Sequence, residues 1–85
     1  MVTAKINAYE PVEIIEDYIY ESPLTLPAGN WQLIIEKGDA WVFCDKDNFV
    51  LHTTDSTYIT SEEHAITLRC LYVKGSVKFT AIRFA

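Results

Sequence analysis

The sequence predicts an all-β domain, a small antiparallel barrel or sandwich of about eight short strands. Three observations carry that prediction. Short runs rich in Val, Ile, Thr and aromatic residues alternate with turn residues roughly every eight to twelve positions. No stretch carries an apolar stripe at helical spacing over the ten or so residues a helix needs. Finally, the chain of 85 residues is too short to lay helices over a sheet of this many strands.

The strands follow in order. Val12–Tyr20 and Leu24–Leu26 precede the turn "LPAGN", where Gly29 supplies a positive φ. Trp31–Glu36 runs into "EKGDA", where Gly38 does the same before Ala40–Cys44. The Asp- and Asn-rich "CDKDN" turns the chain into Asn48–Thr53, and Ser56–Thr60 comes next. The acidic turn "SEEH" leads to Ala65–Val73, and "VKGS" is a short hairpin loop before Ser76–Phe84. With so little chain between them, neighbouring strands should pair antiparallel.

Period-two alternation then nominates a core. Trp31, Leu33 and Ile35 share one face, as do Trp41 and Phe43, then Phe49 and Leu51. Tyr58 follows, then Ile66, Leu68 and Cys70, and lastly Val77, Phe79 and Ala81. Two strands break the pattern. Ile14 and Ile15 point to opposite faces, and Ile82 and Phe84 lie opposite Val77 and Phe79. Either a bulge restores one-sided packing or a second subunit covers the outer face. A domain this small has a thin stability margin, which favours a homodimer or higher assembly through the first or the last strand. Tyr18, Tyr20, Ile82 and Phe84 are the expected protein-interaction residues, because aromatic and branched side chains anchor interfaces. Glu13, Glu16 and Asp17 on the same strand discourage open-ended edge pairing.

Charge and motif content exclude several functions. With 12 acidic residues against 7 basic ones, and the basic ones scattered singly, the chain has no patch to release counterions from a phosphate backbone. Nucleic acid and anionic membrane are therefore not expected as partners. Residues 1–10 are expected as an N-terminal arm on the single domain 1–85, and "MVTAKINAYEP" has no apolar core of a secretory signal. Cytoplasmic location is the expectation. Cys44 and Cys70 stand apart and read as buried thiols instead of a bridge or a nucleophile. The three glycines, Gly29, Gly38 and Gly75, are too far apart for a phosphate-binding loop, and no G-x-S-x-G elbow exists.

The stretch "GDAWVFCDKDNFVLHTTDSTYITSEEHAITLRCLYVKGSVKF" resembles a cupin-type, jelly-roll-like β-barrel over about half the chain. The resemblance rests on Gly38, Trp41 and Val42 at a strand start, then Val50 and Leu51, Asp55, the "TYIT" strand and His64 after a polar turn. Metal-bearing cupins share a His-x-His motif with a following Glu, and a second motif of glycine, proline, glycine and His. This sequence has no His-x-His. Thr54 or Asp55 replaces the first glycine of the second motif, Thr60 the proline, and Glu62 or Glu63 the second glycine. What the resemblance leaves open is a divalent ion held by His52, His64 and Glu62 or Glu63, provided they converge.

The expected function is a non-enzymatic, acidic β-barrel module with no cofactor, which self-associates and binds another protein. Two alternatives stand beside it. One is a metal-dependent cupin-type enzyme or small-molecule binder. The other is an acidic inhibitor, of the kind mobile elements encode, that covers a host protein's basic surface.

Overall fold

The computed structural model describes residues 10–85, so the expected arm lies almost wholly outside the described residues, as does Tyr9. Eight strands follow one another: β1 (Pro11–Ile19), β2 (Leu24–Leu26), β3 (Gly29–Lys37), β4 (Ala40–Cys44), β5 (Asp47–Leu51), β6 (Ser56–Ser61), β7 (Ile66–Cys70) and β8 (Val77–Phe84). They form two four-stranded antiparallel sheets. The front sheet has the order β1-β8-β3-β6 and the back sheet β2-β7-β4-β5. Only β4 and β5 are joined within one sheet; every other connection crosses between sheets, which is the jelly-roll pattern.

The connections gather at two ends. At the lower end lie the β1–β2, β3–β4, β5–β6 and β7–β8 links, and at the upper end the β2–β3 and β6–β7 links with the β4–β5 hairpin. The lower end is tied by backbone. The loop after β5 hydrogen-bonds to β3 in both directions, Thr54 N to Ile35 O at 2.8 Å and Ile35 N to Asp55 O at 2.9 Å. Leu71 N donates to Asp39 O at 3.0 Å, which ends β7 sooner than the apolar run Ala65–Val73 suggests. A turn over Tyr72–Gly75, closed by Gly75 N to Tyr72 O at 3.0 Å, takes the remaining residues.

The interior is filled. Ile19, Leu26, Trp31, Leu33, Ile35, Ala40, Val42, Leu51, Ile59, Ile66, Leu68, Val77, Phe79 and Ala81 form one cluster between the sheets. The Trp31 indole N–H, which burial would otherwise leave unpaired, donates to Pro27 O at 2.9 Å.

Two expected core assignments are corrected. On β4 the inward residues are Ala40 and Val42, and Trp41 and Phe43 face outward. Trp31 and Phe79 are wholly buried in the narrow space between the sheets, so a facing strand can contribute only small side chains there. On β6 the inward residues are Ile59 and Ser61, whereas Tyr58 pairs with Gln32 on the outer face and is 74% exposed. The break in alternation at the chain's end is also resolved. No bulge in β8 turns Ile82 or Phe84 inward; the register shifts fall instead at Pro11/Glu13 of β1 and at Ile35/Lys37 of β3.

Of the three glycines, Gly38 has the least room for a side chain. Its φ is +99°, and a Cβ there would lie 2.3 Å from Ser76 O. Thr53 Oγ1 also accepts from Gly38 N at 2.9 Å. Gly38→Ala is expected to cost about 1–3 kcal/mol from backbone strain, before the added steric clash. A urea unfolding curve with an unchanged slope and a lower midpoint checks this.

Candidate functional site

With the interior occupied, chemistry-bearing side chains lie on the outer faces and at the two ends. The two histidines sit at opposite ends. His52 follows β5 at the lower end, and His64 follows β6 at the upper end. The six residues of β6 between them span ~20 Å. The structure therefore does not bring His52, His64 and Glu62 together. Among the described residues no group of three or more His, Cys, Asp or Glu side chains converges as a metal site would. The donor set that the cupin resemblance left open does not fit a shared ion.

Each histidine has a local role. His52 Nδ1 lies 2.6 Å from Asp39 Oδ1, while its backbone N–H donates to Asp55 Oδ2 at 2.8 Å. The hydrogen bond to Asp39, with the charges of Asp39 and Asp55, raises the imidazole pKa above its ordinary value. His64 acts through its backbone: its carbonyl accepts from the Ser61 hydroxyl and so closes the acidic turn, leaving the ring exposed. Its side chain lines an upper-end cleft with Asp45, Asp47, Glu62 and Glu63.

The thiols are also separated, with Cys44 at the upper end of β4 and Cys70 opposite Ala40 at its lower end. Burial raises the pKa of both, and for Cys44 the nearby Asp45 and Asp47 charges raise it further. Cys70 Sγ lies 3.0 Å from Ile19 O and 3.6 Å from Gly75 O, so it links β1 to the β7–β8 turn. Raised thiol pKa values mean little thiolate at neutral pH.

The four expected interaction residues divide into two groups. Ile82 and Phe84 lie on the outer face of the front sheet, in register with residues sequence reasoning did not gather there. Ile14 pairs with Ile82, which pairs with Gln32, which pairs with Tyr58. Ile34 and Val12 extend this apolar face, and the Tyr58 and Phe84 rings are 6.4 Å apart. Ile14 is 60% exposed and Val12 54%. Tyr18 pairs with Lys78, several residues down β8 from Ile82 and Phe84, so it belongs to the lower end. There it stacks on Tyr20 at 5.9 Å. The signal that could have located the front face was the outward parity of Ile14, Ile82 and Phe84; the position of Tyr58 depended on cross-strand register.

No protein-family model matches the chain, and a search of curated proteins found no significant match. Solved structures do share its fold. A de novo designed double-stranded β-helix superposes with a TM-score of 0.64 at 13% identity, over 84% of this chain and 97% of the design. A cupin-2 domain protein from Shewanella frigidimarina superposes with a TM-score of 0.57 at 11% identity, over 85% of this chain and 67% of that one. Apo-HppE gives 0.65 at 20% identity over 84% of this chain, which spans only 40% of the HppE chain. The fold is thus of the cupin, double-stranded β-helix type, and at these identities the likeness extends to fold alone.

The Asp39 contact predicts a measurable titration. The folded His52 pKa should lie above the ordinary value of about 6.5. A raised folded pKa means that the stabilisation is complete below the unfolded value and is lost as pH rises through the folded one. NMR titration of the His52 ring is expected to show the elevated pKa, and Asp39→Asn should return it towards about 6.5.

Proposed function

We propose that this chain is a non-enzymatic binding module of cupin-type fold that pairs with a second copy of itself across the outer face of the front sheet. The observation that carries this reading is the apolar character of that face. Val12, Ile14, Ile34, Tyr58, Ile82 and Phe84 lie on it together, although a solvated sheet face ordinarily alternates to polar residues. Thr80, also outward in parity, is 8% exposed and donates from Oγ1 to Glu36 at 3.1 Å, so the middle of the face is shielded. One ion pair stands beside it, Glu36 with Lys78 at 3.5 Å; Glu13 meets Arg83 at 3.2 Å on the inward side at the upper end, where Arg83 is in register with Trp31. Exposed apolar side chains interleaved with Gln32 and the Thr80–Glu36 hydrogen bond make a mixed surface, and protein interfaces are of that mixed character.

Area argues for a second copy as the occupant. Four strands of ~4.8 Å spacing and about eight residues of ~3.3 Å rise give a flat footprint of ~500 Å². A standard interface takes about 800 Å² from each partner, so the pairing has to use the whole corrugated face. A two-fold arrangement lets one small patch serve both sides, and a micromolar dimer is the expected strength. The absence of enzyme activity is part of the same proposal. It is supported by the packed interior, by the separation of His52 from His64, and by thiols whose pKa values are raised.

Ile14→Asp and Tyr58→Ala test the pairing, because both side chains are largely exposed and contribute little to the core. Each is expected to weaken the dimer by about tenfold or more in sedimentation equilibrium, with the circular dichroism spectrum unchanged. A wild-type chain that stays monomeric at millimolar concentration would overturn the reading.

A further inference from the structure

A second apolar cluster lies at the lower end, where the β1–β2 and β7–β8 loops meet the outer side of the back sheet and Tyr18 reaches it from the front sheet. Four of the seven exposed large hydrophobic side chains, Tyr18, Tyr20, Tyr72 and Val73, are at this lower end. Val73 is 91% exposed in the Tyr72–Gly75 turn, a position where folding makes no demand for an apolar side chain. Beside the loops, Trp41 and Arg69 are direct cross-strand partners on β4 and β7 and both face outward. The indole is held in place: Nε1 donates to Asn48 Oδ1 at 3.1 Å, and the ring lies 4.9 Å from that of Phe43. Tyr20, Trp41, Tyr72 and Val73 thereby wall a cleft of about 480 Å³, with Arg69 and Glu21 as its charged groups. That volume lies within the range of small-molecule sites.

Charge narrows the chemistry of the occupant. Of the six described Lys and Arg cations only Lys78 and Arg83 stand within ion-pair distance of a carboxylate. Among the described residues Arg69, like Lys37 and Lys46, makes no ion pair, and it is the one of these three that lines the aromatic cleft. Lys74, in the same turn as Val73 and lining the adjoining cleft, makes none either. A guanidinium without a partner, beside a fixed aromatic face, presents a planar fork to a carboxylate and a stacking surface to a flat ring. Glu21, on the opposite loop, is an acceptor for a donor group on that ring.

We infer that this cleft binds a small aromatic carboxylate carrying a hydrogen-bond donor: the ring stacks among Trp41, Tyr20 and Tyr72, the carboxylate meets Arg69, and the donor faces Glu21. This site is independent of the proposed pairing, since it uses the back sheet and the lower loops.

The probes are 4-aminobenzoate, benzamide and acetate, followed by proton–nitrogen NMR. Only Trp41 should report binding, because Trp31 is 1% exposed in the core. The expected result is a saturable shift of the Trp41 indole and Arg69 amide signals with 4-aminobenzoate, and binding at least about tenfold weaker for benzamide and for acetate. Arg69→Gln should abolish the preference for 4-aminobenzoate over benzamide, and Tyr72→Ala should weaken both. Ile14→Asp should leave the affinity unchanged, which separates this result from that of the dimer. Equal binding of benzamide, an unmoved Trp41 indole, or shifts that survive both cleft substitutions would each overturn the inference. So would shifts produced by a proline-rich peptide and by none of the three small probes.

Discussion

The rest of the molecule depends on how completely two small sheets consume their inward-facing positions. Each strand turns alternate side chains inwards, and the space between sheets is about 10 Å deep. Trp31 and Phe79 fill much of it, and the facing strand answers with Ala40 and Val42. An unpaired polar group is costly at this packing density, and the buried Trp31 N–H reaches Pro27 O while Ser61 reaches the His64 carbonyl. Polar and ionisable groups are thereby confined to the ends and outer faces. The same packing produces the outward display of Trp41 and Tyr58, because each is the neighbour in parity of a buried residue.

The jelly-roll connectivity decides which of these outer groups meet. Strands adjacent in sequence mostly lie in different sheets, so a residue's neighbours are set by strands distant in the chain. Ile14 and Tyr58 share a face through β8 and β3, and Trp41 stands beside Arg69 through the β4–β7 pair. The connectivity separates as readily as it gathers. His52 and His64, twelve positions apart by number, bracket a single strand and finish at opposite ends, one beside Asp39 and one over a closed turn.

The two outer faces have different character. The front is branched and aromatic beside the Glu36–Lys78 ion pair, as suits contact with another protein surface. The back carries a tethered indole beside a cation with no acid partner, and it ends in a loop that exposes Val73. The proposed pairing uses the front face and the inferred ligand site the back sheet and lower loops, and the two adjoin at the Tyr18–Tyr20 stack.

Much of the fold was legible from residue order. Strand limits followed from β-branched runs and turn chemistry: Leu24–Leu26 and Ala40–Cys44 are as expected, and Gly29 and Gly38 have positive φ. Inward parity was readable wherever apolar and polar residues alternate, as in Trp31–Ile35 and Val77–Ala81. It failed at β4, where "AWVFC" is apolar on both faces, and at β6, where Tyr58 and Ile59 are both plausible core residues. Local pattern has no preference between two apolar parities; the volume left by the opposite sheet makes the choice. The sequence alone therefore determined that there would be short antiparallel strands, where the turns fall, and that outward apolar residues would remain on the first and last strands. Only tertiary structure decided which distant side chains share a face and that the histidines stay apart, because cross-strand register between remote segments is a property of the closed sandwich and not of any one run.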